Sequence, residues 1–309
     1  SRFIECGIAE QDMVSIAGGL ALNKFLPIVH SFACFLSTRP NEQIYNNSTE
    51  KKKIIYIGSL AGILPGGPGH SHQSVRDISL FSSIPGMTVV EPCNEDELAL
   101  LLDWAININP NSTYIRLCSI PLHVPIKIPK DHKSSLGKGL VVNEGEKIAL
   151  ICYGPVGVKL ALDTAEKIKE SHGFFVKIIV FPWLNNVKHK WLSNELSDID
   201  YIIVIDNHYK TGGLGDVISK NAERIGKTET TDLKILDGFE GTKADEQVIA
   251  LEIIKILSIS KTDKVLELGC GAGLIAQFMN CDYTGIDYSS SLVKKHIELL
   301  NHHVLCGPA

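Results

Sequence analysis

The sequence predicts an α/β protein with two consecutive domains built on parallel sheets, followed by the start of a third α/β segment. Short apolar stretches alternate with stretches of helical period along most of the chain, a pattern typical of parallel strands covered by helices. Residues 119–136 are rich in Pro, Lys and Ser and show no clear period, so they are predicted to be a linker. A glycine-rich turn after Lys264 marks the third segment. The predicted domains are therefore 1–118, 137–257 and 262–309.

The first domain is predicted to contain two long helices, Glu10–Asn23 and Asn94–Asn107. The second helix begins with a capping-box pattern, because Asn94 stands three residues before Glu97. Gly and Pro residues exclude regular structure from 60–73, so we expect a shaped loop there, of the kind on which sites are often built. The predicted strands of this domain are Pro27–Phe32, Ile54–Gly58, Thr88–Glu91 and Thr113–Leu117.

The second domain repeats the alternation of strands and helices. Helical patterns cover Val156–Ser171 and Leu214–Ile225, and an amphipathic helix at Ala244–Leu257 closes the domain. The predicted strands are Lys147–Tyr153, Phe175–Phe181 and Tyr201–Asp206.

Composition and charge argue against several classes of protein. The 309 residues carry a formal net charge of -5 without a basic stripe, which argues against nucleic-acid binding. Eight cysteines are scattered without zinc-site spacing, so reduced thiols and a cytoplasmic location are expected. The apolar runs are too short for a signal peptide or a membrane span. Because the chain begins with Ser1 and stops soon after a helical pattern, we expect a piece of a longer protein.

Glu10 is the first candidate functional residue, because it is an acidic side chain among apolar ones. Ile8, Ala9, Met13 and Val14 leave little room for a solvated face at this helix start. A glutamate near a helix N-terminus can simply face solvent and interact with the helix dipole. In apolar surroundings, however, a carboxylate needs a partner or a chemical task.

Four motifs follow one another in a characteristic order: Gly7-Ile-Ala-Glu-Gln11, Pro27-Ile-Val-His-Ser-Phe-Ala-Cys-Phe35, His70-Ser-His-Gln73 and Tyr114-Ile-Arg116. Their order and spacing resemble the thiamine-diphosphate-binding, pyrimidine-binding domain of transketolases and deoxyxylulose phosphate synthases. Residues 137–257 resemble the transketolase C-terminal domain, whose strand-to-helix turn is matched by the segment from Asp206 to Gly215.

The resemblance implies ketol transfer between sugar phosphates, dependent on thiamine diphosphate, or alternatively a deoxyxylulose phosphate synthase-like reaction. In this family a glutamate at pyrimidine N1′ promotes loss of the C2 proton of the cofactor, and Glu10 matches it. Phe32 and Phe35 match aromatic residues around the pyrimidine, although aromatic residues at such spacing are also common in cores. His72 matches a histidine that faces the substrate, Arg116 an arginine that contacts the phosphate or hydroxyl end of the sugar, and His70 is a further substrate-binding candidate.

Two departures from the family leave the sugar open. Pro68 replaces an acidic residue of several members, and Leu60 replaces a histidine of transketolases. The Gly-Asp-Gly…Asn motif that binds the diphosphate and Mg²⁺ has no counterpart, and no metal ligand is assigned to this chain. We therefore expect this chain to be inactive alone. The missing diphosphate-binding half would come from a partner polypeptide or an absent N-terminal segment, in a dimer or heterotetramer.

The third segment resembles the first motifs of class I S-adenosylmethionine-dependent methyltransferases, which are Rossmann-like. In that resemblance the cofactor-binding residues are Glu267, Gly269, Gly271 and Gly273, with Asp287 on the ribose hydroxyls. Nicotinamide dinucleotide binding and a non-functional glycine-rich turn are the alternatives. Since only a partial domain is present, no methyl transfer is expected. A methyltransferase carrying a non-catalytic transketolase-like module is the remaining hypothesis for the whole chain.

Overall fold

The first domain is built around a four-stranded parallel sheet. The computed structural model describes residues 2–67, 69–129 and 132–224, together with four later strands. The elements of this domain are α1 (Glu10–Leu22), β1 (Ile28–Phe32), α2 (Ala33–Thr38), α3 (Asn41–Thr49), β2 (Ile55–Ser59), α4 (Asp77–Ser82), β3 (Thr88–Val90), α5 (Glu95–Asn107) and β4 (Thr113–Arg116). The strand order is β1-β2-β4-β3, and every pair is parallel, as predicted.

Strand β1 lies at one edge of this sheet and has an uncovered face. Ile28, His30 and Phe32 alternate along the strand and are exposed, whereas Val29 on the opposite face is buried. Strand β4, between two neighbours, is buried at every position. Strand β3, at the other edge, is also buried at every position, so the open face is confined to the β1 edge and lies beside the start of α2.

The predicted capping box of α5 is confirmed. The side-chain oxygen of Asn94 accepts the N–H of Glu97 at 3.0 Å, and the Glu97 carboxylate accepts the N–H of Cys93 at 2.8 Å. Glu97 therefore reaches the residue before the N-cap rather than the N-cap itself. Burial raises the pKa of Glu97 to about 7.

The second domain has a five-stranded mixed sheet. Its elements are β5 (Leu140–Asn143), β6 (Lys147–Cys152), α6 (Gly154–His172), β7 (Lys177–Val180), α7 (His189–Glu195), β8 (Ile199–Asp206), α8 (Leu214–Arg224) and β9 (Thr230–Lys234). The order is β5-β7-β6-β8-β9, with β5 antiparallel at one edge and the other pairs parallel. Helix α6 ends at Gly173, whose φ of 65° is the left-handed conformation that glycine adopts without strain.

The main chains of the two domains are hydrogen-bonded to each other beside β3. Val90 and Trp183 form an antiparallel bridge, and the N–H of Leu184 donates to the carbonyl of Val89 at 2.9 Å. The N–H of Glu91 donates to the carbonyl of Pro182 at 3.1 Å. Residues 182–184 thus extend the edge of the first sheet, and both domains fall into one unit, Ser1–Lys234.

Several elements were not predicted from the sequence. They are α2, α3, α4, β5, α7 and β9, together with the strand His303–Cys306 near the end of the chain. Three of these helices have six or seven residues, fewer than two turns, which is too few for a helical period to be seen. Helix α2 also follows β1 without a break, so the segment resembles a single apolar run. The described part of the predicted linker, 119–129 and 132–136, contains neither helix nor strand.

The second unit, Ile235–Ala309, contains three parallel strands. They are β10 (Lys264–Leu268), β11 (Asp282–Asp287) and β12 (His303–Cys306), in the order β10-β11-β12. Glu267 and Asp287 lie on β10 and β11, respectively. The predicted glycine turn at Gly269, Gly271 and Gly273 and the predicted helix Ala244–Leu257 lie outside the described residues. Within the described part of the chain, none of the helices has the length and apolar character needed to cross a membrane.

Candidate active site

Glu10 begins helix α1 and is paired with Arg39. Its side chain is only 8% exposed, and Nη1 of Arg39 lies 2.8 Å from Oε1 and 2.9 Å from Oε2. The arginine is itself 42% exposed. A carboxylate that is largely removed from water is thus balanced by a cation that keeps contact with water. Arg39 is therefore the partner that a carboxylate in apolar surroundings needs.

Helix α2 places Phe35 and Arg39 together. The two residues are four positions apart, so they lie on the same side of the helix and of its C-cap. The guanidinium carbon of Arg39 lies 4.0 Å from the centroid of the Phe35 ring, a distance at which a cation interacts favourably with an aromatic face. Arg39 therefore connects the Glu10 carboxylate to the aromatic part of the site.

His72 completes an aromatic cluster with Phe35 and Phe32. Its ring centroid lies 5.2 Å from that of Phe35 and 6.3 Å from that of Phe32, in edge-to-face arrangements. The two phenylalanine rings are 6.0 Å apart. Since Phe32 is 39% exposed, this cluster presents an accessible aromatic surface beside Glu10. The structure thus brings together Glu10, Phe32, Phe35 and His72 from the predicted site.

The loop that carries His72 is closed at its base by backbone hydrogen bonds. The N–H of Gly62 donates to the carbonyl of Ser74 at 2.7 Å, and the reverse bond is 3.0 Å long. The N–H of His72 donates to the carbonyl of Gly69, which makes a tight turn at the tip. His70 lies on this turn and is exposed, so it is placed on the same loop as His72.

The predicted contact of Arg116 with substrate is corrected by the structure. The side chain is 0% exposed, and its Nε lies 2.8 Å from Oδ2 of Asp77 while Nη1 is bonded to Glu91. Nη2 donates to the carbonyls of Ser74 and Asn207 at 2.8 and 2.9 Å. A sugar phosphate cannot reach a guanidinium that is buried and whose three nitrogens are all engaged by the protein. Arg116 is therefore part of the structural core between the domains.

Two carboxylates share the buried charge of Arg116. Burial raises the pKa of Glu91 to about 7, although the neighbouring guanidinium acts in the opposite direction. The second carboxylate, Asp77, also accepts the hydroxyl of Tyr114 at 2.7 Å, and burial raises the pKa of that hydroxyl. Because a single cation balances two acidic groups out of water, protonation of one carboxyl lowers the cost of the cluster.

Sequence reasoning missed Arg39 and the interdomain role of Asn207. A signal for Arg39 was present, since an arginine four residues after Phe35 can face the same side of a helix. It was not used because α2 was not predicted. No local pattern indicates Asn207, because its contacts lie in a distant part of the chain. Among the described residues, no group of three or more His, Cys, Asp and Glu side chains is arranged to hold a metal ion.

Two family models match the chain over the two domains just described. Residues 1–122 match the transketolase pyrimidine-binding domain, and residues 137–238 match the transketolase C-terminal domain. The fold thus belongs to the class of two-domain α/β modules made of a transketolase pyrimidine-binding domain and a transketolase C-terminal domain.

Similarity to proteins of known name defines the family more narrowly. The chain is 30% identical over 225 residues to a subunit of the apulose-4-phosphate transketolase of Actinobacillus succinogenes, covering 71% of this chain and 69% of that protein. It is 31% identical over 231 residues to the 1-deoxy-D-xylulose-5-phosphate synthase of Clostridium perfringens strain 13, covering 74% of this chain but 36% of that protein. The chain therefore belongs to the transketolase family, and it spans about a third of the synthases that it matches.

Solved structures share the fold. A structure described as a split gene transketolase, inactive beta4 tetramer, aligns with a TM-score of 0.69 at 24% identity, covering 77% of this chain and 76% of that chain. The transketolase of Campylobacter jejuni aligns with a TM-score of 0.60 at 18% identity, covering 83% of this chain and 39% of that chain. At these identities the similarity supports the architecture and not the substrate.

Proposed function

We propose that the chain supplies the pyrimidine-side half of a transketolase-like enzyme that transfers a ketol unit between sugar phosphates. The observation that carries this proposal is the buried Glu10 carboxylate beside the accessible aromatic surface of Phe32, Phe35 and His72. Thiamine diphosphate, when bound, supplies the carbon nucleophile that accepts and releases the ketol group. The chain's own residues bind, orient and exchange a proton with the pyrimidine portion.

The described residues fit the aminopyrimidine and not the diphosphate. Phe35 and Phe32 offer ring surfaces to a flat heterocycle. Nη1 of Arg39 bonds both oxygens of Glu10, and because each carboxylate oxygen can accept more than one hydrogen bond, Glu10 can still face N1′ of the pyrimidine. Glu10 is the group that exchanges the proton there. His72, at the edge of this surface, is placed to hydrogen-bond a substrate oxygen. The diphosphate and Mg²⁺ are proposed to lie on a partner domain or subunit, because no metal-binding cluster is found in the described part of this chain.

The surface around the site supports a partner. Ile8 is 91% exposed at the approach to α1, and Phe3, Ile4 and Phe25 are exposed on neighbouring segments. Ile28 adds to them on the open face of β1. Groups of large exposed apolar side chains are typical of interaction sites. We propose that a diphosphate-binding subunit covers this surface, in a dimer or heterotetramer, because one similar protein is named as a transketolase subunit and another as a split gene transketolase.

The test uses this chain mixed with a candidate diphosphate-binding subunit, thiamine diphosphate and Mg²⁺. We expect Glu10→Gln to keep cofactor binding in calorimetry while turnover of sugar phosphates falls by about 10²- to 10⁴-fold, the usual contribution of a proton-transfer group. The matched control is Asp12→Asn, an exposed acidic residue two positions along α1, which should leave turnover unchanged. Full turnover by Glu10→Gln would sink the proposal, and so would turnover by this chain alone.

A deoxyxylulose phosphate synthase-like reaction is the alternative within the same cofactor class. The identity to the Clostridium perfringens synthase supports it. The two reactions differ in their donor, since one takes a ketose phosphate and the other takes pyruvate and releases CO₂. Product analysis by mass spectrometry with each donor, using the same reconstituted protein, separates them.

A second candidate function concerns the unit Ile235–Ala309. Glu267 and Asp287 lie at the carboxyl ends of neighbouring parallel strands, and such ends meet at the edge of a sheet where nucleoside cofactors bind. We propose S-adenosylmethionine binding at this edge. Calorimetry with the full chain should show that Asp287→Ala loses binding and that Asp282→Ala, at the opposite end of β11, keeps it. Equal affinities of the two variants would argue against the site.

We also propose a cytoplasmic location. It is supported by the free thiols in the described part of the chain, since thiols persist in a reducing compartment. These residues are Cys6, Cys34, Cys93, Cys118 and Cys152. Fractionation of cells that produce the protein, with the protein traced by an antibody, tests the proposal. Recovery in an extracellular or periplasmic fraction would contradict it.

A further inference from the structure

We propose that the C-terminal domain positions the loop that carries His72, and that Asn207 is the positioning residue. The His72 loop is defined here as residues 60–67 and 69–74, between β2 and Val75. The inference rests on the proposed function, in which His72 meets the substrate. Asn207 itself touches neither the aromatic surface nor Glu10, so it acts on the site through the loop.

Asn207 is linked to both limbs of the loop, directly to the outgoing limb and through Arg116 to the returning limb. Its side-chain Oδ1 accepts the N–H of Ile63 at 3.1 Å on the outgoing limb. Its backbone carbonyl accepts Nη2 of Arg116 at 2.9 Å, and the same Nη2 donates to the carbonyl of Ser74 on the returning limb. Since Gly62 and Ser74 are joined by two backbone hydrogen bonds, a single residue of the other domain holds the base of the loop from both sides.

The close approach of Asn207 requires a glycine on the loop. Gly62 has a φ of 81°, and a Cβ at this position would overlap the side-chain amide of Asn207. The side chain of Asn207 therefore packs directly on the main chain at Gly62, which leaves no room for a side chain there. Asn207 is only 2% exposed, so its hydrogen bond to Ile63 is made away from water.

Asn207 is in turn held by its own domain. Its N–H donates to the hydroxyl of Tyr153 at 2.9 Å, and Tyr153 donates to Oδ1 of Asp206. The other oxygen of Asp206 accepts the N–H of Gly215, in the first turn of α8. A residue fixed by β6, β8 and α8 can transmit the position of the C-terminal sheet to the loop.

The following residues extend the contact past the loop. Nε2 of His208 accepts the N–H of Ser79 at 3.3 Å, while its Nδ1 lies 2.9 Å from the carbonyl of Tyr209. The N–H of Tyr209 donates to the carbonyl of Val75 at 2.7 Å. Residues 207–209 thus follow the returning limb into α4. At the tip, the ring of His72 packs on the rings of Phe32 and Phe35 and bonds to Ser71 within its own turn. We infer that the base of the loop sets where this turn lies relative to the aromatic rings.

The first arm of the test measures amide hydrogen exchange on this chain alone, by mass spectrometry. Asn207→Leu removes the acceptor of the Ile63 N–H, and we expect exchange in the His72 loop to become about tenfold faster. The matched control is Asn185→Leu. Asn185 also belongs to the C-terminal domain and also accepts a backbone N–H of the first domain, that of Val89 at 2.9 Å, but it does not touch the loop. Equal effects of both substitutions on loop exchange would overturn the inference.

The wild-type chain gives an independent reading, which holds even if Asn207→Leu fails to fold. The amide of Ile63 should exchange as slowly as that of Leu184, which is bonded across the same pair of domains. Rapid exchange at Ile63 in the wild-type protein would overturn the inference directly.

The second arm measures kinetics after mixing with the diphosphate-binding subunit. Asn207→Leu should raise KM for the sugar phosphate by about tenfold, because His72 is no longer held, while the Kd of thiamine diphosphate stays unchanged. A merely structural defect would weaken both. If no variant, including wild type, shows turnover, the proposed function fails, whereas the exchange measurements still decide the role of Asn207.

Discussion

The first domain contains two arginine–carboxylate clusters, one around Arg39 at the candidate site and one around Arg116 in the core. Arg39 is 42% exposed, pairs with a single carboxylate and stacks on an aromatic ring that borders an accessible surface. Arg116 is 0% exposed, and its nitrogens bond two carboxylates and two carbonyls. The guanidinium of the first cluster keeps contact with water, whereas every nitrogen of the second guanidinium is bonded to the protein. Residue type alone therefore does not separate a site from a core, whereas accessibility and unused hydrogen-bonding capacity do.

The largest expected effect lies in the buried cluster. Arg116→Met would leave Asp77 and Glu91 buried without a cation, which should lower the free energy of unfolding by about 3–5 kcal/mol. Urea denaturation followed by circular dichroism measures this change. Arg76→Met is the control, because Arg76 is exposed, and it should stay within about 0.5 kcal/mol of wild type. If Arg116→Met lowered the free energy of unfolding by less than about 1 kcal/mol, the two clusters would not differ in their contribution to stability.

A smaller effect is expected where the loop approaches the buried cluster. Gly62→Ala places a Cβ against Asn207 at a positive φ, so we expect a loss of about 1–3 kcal/mol. Gly66→Ala on the same loop meets no atom closer than 3.9 Å and should change the free energy of unfolding little. The same denaturation experiment compares the two. Similar losses in both variants would mean that the strain is not specific to the contact with Asn207.

The pH dependence of stability should distinguish the clusters next. Since burial raises the pKa of Glu91 from 4.5 to about 7, the folded protein binds a proton that the unfolded chain has lost in this range. The stabilisation from this group is complete below about pH 4.5 and is lost as the pH rises through 7, by roughly 3 kcal/mol. Glu97 contributes in the same direction, so the measurement is the difference in slope between wild type and Glu91→Gln. Parallel curves would show that Glu91 is ionised throughout.

The smallest change in stability is expected at the exposed cluster. Arg39→Met should alter the free energy of unfolding by about 1 kcal/mol, because Arg39 is 42% exposed and water reaches its side of the ion pair, although Glu10 is only 8% exposed. Turnover in the reconstituted enzyme should nevertheless fall by about tenfold, since Glu10 loses the group that orients it. Arg39→Lys keeps the charge and should recover part of the activity. A large loss of stability without a kinetic effect would place Arg39 with Arg116 as a structural residue.

Much of the fold follows from local patterns, and the site follows only in part. The apolar periods predicted α1 and α5, and the Asn94–Glu97 capping box was found as expected. Short helices such as α2 were not predicted, because six residues are too few to show a helical period. The buried, structural role of Arg116 was not predicted for a different reason. Its partners Asp77 and Glu91 lie 39 and 25 residues away, so only the tertiary structure reveals that its donors are used up.

The family resemblance predicted Glu10, Phe32, Phe35 and His72 as site residues. In the structure Arg39 contacts Glu10 and Phe35, and Phe35 contacts Phe32 and His72. What neither pattern nor resemblance could give is the contribution of the other domain. Asn207 is 144 residues from Ile63, and its effect depends on the packing of two sheets. Long-range polar contacts of this kind carry no signal in a single sequence.

The backbone hydrogen bonds between β3 and residues 182–184 have a practical consequence for a chain that is cut. They cross the domain boundary independently of the linker, so a protease nick in the described linker segments would leave Val89, Glu91 and their partners still bonded. The two fragments should therefore elute together under native conditions and separate only in denaturant. We therefore expect the covalent connection between the domains to be dispensable for their association.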